Sequence, residues 1–105
     1  MVSQDQIRIV TERLKAAAPG ATIILFGSHA RQEAGDRSDL DVLVVEPRLE
    51  STYAEMVRLT DTLRDLRIPT DILVVSRALF MEWKDEPGTV IHEAAREGVV
   101  LHAAG

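Results

Sequence analysis

Asp39 and Asp41 stand two residues apart in Ser-Asp-Leu-Asp, at the head of the apolar run Val42 to Val45. In a strand, residues i and i+2 project from the same face, about 6.5 Å apart along the chain. The two carboxylates can therefore aim at one point in space. Like charges held so close repel unless a cation lies between them or one is protonated. A divalent metal meets that need, and ligation by oxygen alone suits magnesium or manganese.

Upstream, Gly27-Ser28 follows the apolar run Ala-Thr-Ile-Ile-Leu-Phe of residues 21 to 26. A strand, a Gly-Ser turn and a helix start make an anion site, because the first helical amides are unpaired and the helix dipole adds partial positive charge. Glycine lets a ligand approach the backbone, and Ser28 offers a hydroxyl to a phosphate oxygen. Arg31, one helical turn on, could add a charge there or brace the loop by bonding a carboxylate. Ser38 either orients the turn before the acid pair or joins the phosphate contacts.

Asp71 supplies a third carboxylate, early in the apolar run Thr-Asp-Ile-Leu-Val-Val. The run that starts at Asp39 has the same layout of acids first and Leu-Val-Val after. If the two strands are neighbours, Asp71 comes beside Asp39 and Asp41. Three carboxylates can bind two metals about 3.5–4 Å apart, which clamp the attacking and the leaving oxygen in phosphoryl or nucleotidyl transfer. Asp71 would also be placed to take a proton from an attacking hydroxyl.

The elements that must position these residues follow from spacing and caps. Ser3 with Gln6 forms a capping box for a helix from Ser3 to Ala18, stopped by Pro19-Gly20. Residues 21 to 26 form a buried strand, then a short helix runs from His29 to Glu33. Gly35-Asp36-Arg37 is a turn, and Asp39 to Val45 is the second strand. Thr52 with Glu55 caps a helix carrying Met56, Leu59, Leu63 and Leu66, to about Arg67. Thr70 to Val75 is the third strand, entered at Pro69. Ser76 caps a short helix through Trp83. Thr89 to Glu97 is the last helix, closed by Gly98 just past its end, and Val99 to His102 adds an edge strand. His29, His92 and His102 lack metal-ligand spacing and read as surface residues, and Trp83 reads as a packing or interface residue. The order predicts an α/β (α+β) domain in which a small mixed β-sheet is flanked by helices.

A chain of 105 residues with 46% apolar content and a net charge of −5 reads as a single domain, residues 1–105, able to bury a core. Cysteine is absent, so disulfides and thiolate metal sites are excluded. No apolar run reaches the roughly 18 residues that span a bilayer, so no membrane partner is expected. Met-Val-Ser-Gln-Asp-Gln lacks the basic and apolar regions of a signal peptide, and a cytoplasmic location is expected. The acidic balance and scattered basic residues argue against binding nucleic acid directly through its phosphates.

Gly-Ser-x-Ala-Arg, then Ser-Asp-x-Asp, then a single Asp on a later strand resembles the nucleotidyltransferase superfamily of DNA polymerase β. The small size and the closing Lys-Asp-Glu-Pro-Gly…Glu-Gly-Val-Val-Leu stretch resemble its minimal nucleotidyltransferase (MNT) branch, often encoded beside a HEPN-domain protein and acting as antitoxin. The resemblance implies the polymerase β-like fold. It also implies nucleotide phosphate contacts at Gly27 and Ser28, Mg²⁺ ligands at Asp39, Asp41 and Asp71, and Asp71 as base. It further implies transfer of AMP from ATP to a hydroxyl, with a tyrosine of a HEPN toxin as acceptor. The alternatives are an antitoxin that neutralises its partner by contact alone, or transfer to a small molecule or another protein. One departure is Gln32, where the family commonly has glycine; glutamine suits a helix, and a slightly longer helix is expected there.

Overall fold

The computed structural model describes residues 2–35 and 38–104. Ser3 opens α1 (Gln4–Ala17) with the reciprocal cap the sequence predicts. Its hydroxyl accepts the Gln6 amide at 3.2 Å, and the Gln6 side chain accepts the Ser3 amide at 2.9 Å. Strand β1 (Thr22–Phe26) leads without a loop into α2 (Gly27–Ala30). Strand β2 (Leu40–Glu46), helix α3 (Thr52–Thr62), a 3₁₀ turn (Arg64–Leu66) and β3 (Thr70–Ser76) follow. Helices α4 (Arg77–Trp83) and α5 (Val90–Glu97) and the edge strand β4 (Val99–His102) complete the chain.

The four strands form one sheet in the order β3-β2-β1-β4. Strand β1 runs antiparallel to β2 and β4, while β2 and β3 are parallel. A parallel pair needs a crossover, which α3 and the 3₁₀ turn supply. Strand alternation sends Ile23, Leu25, Leu40, Val42, Val44, Ile72 and Val74 to one face, where they pack with Val10 and Leu14 of α1 and Leu59 of α3. Ile24, Phe26, Leu43, Val45 and Val75 fill the other face, against Phe80 of α4 and Ile91 and Ala94 of α5. Each fully buried Leu or Ile is worth about 1.5–3 kcal/mol. Leu14→Ala or Leu43→Ala would therefore cost about 2–5 kcal/mol once the cavity is included.

Several local expectations change. Helix α2 starts at Gly27 and closes after Ala30, earlier than the span from His29 to Glu33. Gln32 does not lengthen it: its φ of 59° is left-handed. The Gln32 amide donates to the His29 carbonyl at 3.3 Å and the Glu33 amide to the Ser28 carbonyl at 2.8 Å. That pair of bonds is the Schellman helix ending, whose left-handed position is usually glycine. Glutamine thus occupies a glycine conformation, and backbone geometry overrides side-chain propensity.

In α3, Ser51 rather than Thr52 is the cap, its hydroxyl accepting the Ala54 amide at 3.2 Å. Glu55 is instead held by Arg58, which donates from Nε at 2.7 Å and a terminal nitrogen at 2.6 Å. The helix ends at Thr62, and Arg67, at φ 54°, closes the 3₁₀ turn. Gly98 does follow α5, but in an extended conformation. Its glycine is needed for space, since a β-carbon there would meet Ile24 Cγ2 at 2.5 Å and the Leu25 carbonyl at 3.0 Å. All three histidines are less superficial than expected, His102 being half-buried on the edge strand β4. His92 is half-buried with Nδ1 2.9 Å from the Lys84 carbonyl, and half-buried His29 accepts the Val2 amide at Nε2. Asp36 and Arg37 of the expected turn lie outside the described residues.

Candidate active site

Asp41 is the second residue of β2, and the parallel register sets it directly opposite Asp71 of β3. Paired positions on adjacent strands face the same way, about 4.8 Å apart. Asp39 lies one residue before β2, two positions from Asp41 and so on the same face. The Leu40 amide donates to the Pro69 carbonyl at 2.9 Å, which carries the ladder to the mouth of the strands beside Asp39. The three acids therefore gather at one end of the sheet, on the face covered by α4 and α5. Asp39 and Asp71 are exposed, and Asp41 is half-buried.

Strand β1 brings the Gly-Ser turn to the same place, with Phe26 in register with Asp41. Gly27 adopts φ +73°, and a β-carbon on it would collide with the Asp41 carboxylate. Glycine is thus required twice, for the left-handed turn and for room beside Asp41. Phe26, at the N-cap position of α2, provides no side-chain cap, so no side chain competes for the amides that follow.

The Asp41 carboxyl is pushed above the usual carboxylate range. Burial is the main cause, followed by repulsion from Asp71 and then Asp39; His29 opposes the shift and Glu93 adds to it. A half-buried carboxylate facing two others is electrostatically uncompensated, and bound cations reverse that balance. The all-oxygen donors fit a hard divalent ion such as Mg²⁺. Among the described residues, no three acid or histidine side chains are already drawn together as a metal cluster.

Arg31 points to α5, with Nε 3.5 Å from Glu33 and a terminal nitrogen 3.8 Å from Glu97 and 4.0 Å from Glu93. The Ser38 hydroxyl accepts the Gly35 amide at 2.9 Å, so it is engaged in its own turn. Glu93 is the residue that sequence reasoning missed. It reaches both Arg31 and the field at Asp41, and it helps line a cavity of about 470 Å³ along α5. Its only sequence signal is the i, i+4 spacing of Glu93 and Glu97 beside buried Ala94.

Comparison with known proteins gives a consistent picture of fold. A family model for the nucleotidyltransferase domain matches residues 7–96, which include every candidate residue above. No curated protein matches the sequence. A candidate nucleotidyltransferase from Sulfolobus solfataricus superposes with a TM-score of 0.61 at 21% identity, covering 90% of this chain and 74% of that one. A toxin-antitoxin structure with AMP-PNP gives 0.64 at 19% identity, covering 92% of this chain and 72% of that one.

Proposed function

The chain belongs to the nucleotidyltransferase domain family, and from that premise we propose that it transfers AMP from ATP to a hydroxyl on a partner protein. The observation that carries this reading is the register of Asp41 against Asp71, with Gly27 seated against the Asp41 carboxylate. It joins an acid set to a phosphate turn at one end of the sheet.

Gly27 and Ser28 bind the triphosphate through backbone amides and the Ser28 hydroxyl. Asp39, Asp41 and Asp71 would hold Mg²⁺, three carboxylates being enough for two ions, and the bound metal would supply the positive charge that offsets the triphosphate and pyrophosphate. Asp71 is exposed on the edge strand, open to an acceptor, and its carboxylate takes the hydroxyl proton. The acceptor oxygen bonds to the α-phosphorus, the bond from that phosphorus to the bridging oxygen breaks, and pyrophosphate leaves. Ser38 orients the strand entry.

The neighbour solved as a toxin-antitoxin with AMP-PNP supports an adenine nucleotide as donor and a protein as partner. The MNT resemblance supports an antitoxin role, with a tyrosine of a HEPN toxin as acceptor. The test is to incubate this protein with Mg²⁺, the product of the neighbouring gene and ATP labelled at the α- or the γ-phosphate. Label from the α position alone should remain on the partner. Retention of γ label would instead show phosphoryl transfer and overturn the proposal.

A further inference from the structure

Helix α2 presents the phosphate turn, yet at four residues it is far too short to be stable by itself. Its C-cap residue, Arg31, lies within 4.0 Å of carboxylates from Glu33, Glu93 and Glu97. A guanidinium has five donors in a fixed fork and can serve several carboxylates together. Helix α5, which carries Glu93 and Glu97, is itself firmly seated: Ala94 is buried, and Gly98 lets the chain close against β1.

We infer that Glu93 and Glu97 are positioning residues that hold the Gly27-Ser28 turn in place through Arg31. The identity of what the turn binds rests on the nucleotidyl-transfer reading; the clamp does not. The rival role for Arg31, a direct phosphate ligand, requires it to leave these carboxylates. The two roles predict opposite effects of removing the acids. A clamp loses its anchor, whereas a phosphate ligand is set free and relieved of nearby negative charge.

The experiment uses the whole protein as wild type, Arg31→Ala, the Glu93→Gln/Glu97→Gln pair, and all three changes together. Hydrogen exchange reads the amides of Arg31, Gln32 and Glu33, which bond back into α2. Calorimetry reads the Kd for ATP with Mg²⁺. Exchange at these amides should rise several-fold in all three variants. ATP binding should weaken roughly three- to fivefold in each, as expected for a network of partly exposed pairs, with no further loss in the triple variant. Unchanged exchange in the paired Gln variant, or ATP binding as tight as wild type or tighter, would overturn the clamp. A wild type that binds no ATP would overturn the nucleotidyl-transfer reading, and the exchange data would still decide the clamp.

Discussion

Gly27 lies against the carboxylate of Asp41, in a space that a β-carbon would fill. The contact joins the end of β1 to the start of β2, so the Gly27-Ser28 turn and the first acid of β2 are fixed to each other. Gly27→Ala should fail on both counts. The left-handed φ costs alanine about 1–2 kcal/mol, and the methyl group must displace Asp41. Urea unfolding should show that loss, and transfer activity should fall much further than stability alone explains.

Asp41→Asn should stabilise the protein in the absence of metal while abolishing transfer. The folded-state pKa of Asp41 is raised, chiefly by burial and then by Asp71 and Asp39. Its stabilising contribution is therefore full below the unfolded value and lost as pH rises through the folded one. At neutral pH without metal the charge is a liability that asparagine removes. Thermal melts in EDTA should give the variant the higher Tm. Mg²⁺ at about a hundred times its Kd should add about 2.7 kcal/mol to wild type and far less to Asp41→Asn. A lower Tm for the variant in EDTA would contradict this account of the site.

A second titrating group lies at the far end of β2. Burial and a hydrogen bond to Glu55 push Glu46 up from 4.5 to about 7, while Arg58 and Glu46 hold Glu55 down to about 2. One Glu46 oxygen is buried without a partner, and the pair borders a cavity of about 310 Å³ together with Arg48, Glu50 and Arg58. The raised Glu46 value means stability that is present below pH 4.5 and lost as pH rises through about 7. The Tm of wild type should fall between these limits and level off above them, and Glu46→Gln should flatten the decline. Parallel profiles for the two proteins would contradict the assignment.

Gln32→Gly should be a stabilising change. Gln32 is exposed and holds φ 59°, so glycine removes strain and no buried contact. Relief of the left-handed penalty, less the entropy of glycine, leaves a gain of up to about 1 kcal/mol. The midpoint of urea unfolding should rise with an unchanged slope.

The acid set was legible because it depends on local rules. Asp39 and Asp41 share a face by the two-residue period, and the matching layout of Asp71 follows from the same rule once β2 and β3 pair. Gly27 was legible as a turn, but its contact with Asp41 depends on the β1–β2 register. What the sequence concealed depends on geometry between distant segments. Gln32 was misread because its conformation is set by the Schellman bonds of α2 and not by propensity. Gly98 stood where a helix-ending glycine belongs, yet the crowding against the Ala94 carbonyl and Ile24 is what requires it. Glu93 gave no motif, since its role appears only when α5 lies across β1 and beside α2.

The most direct test of the central claim is label transfer from α-labelled ATP to the neighbouring-gene product in Mg²⁺, comparing wild type with Asp39→Asn, Asp41→Asn and Asp71→Asn. Labelled partner with wild type, and loss of label in all three variants while each remains folded, is the predicted result. No label with any protein, together with equal protection of cells against the partner by all four, would contradict catalysis and leave neutralisation by contact.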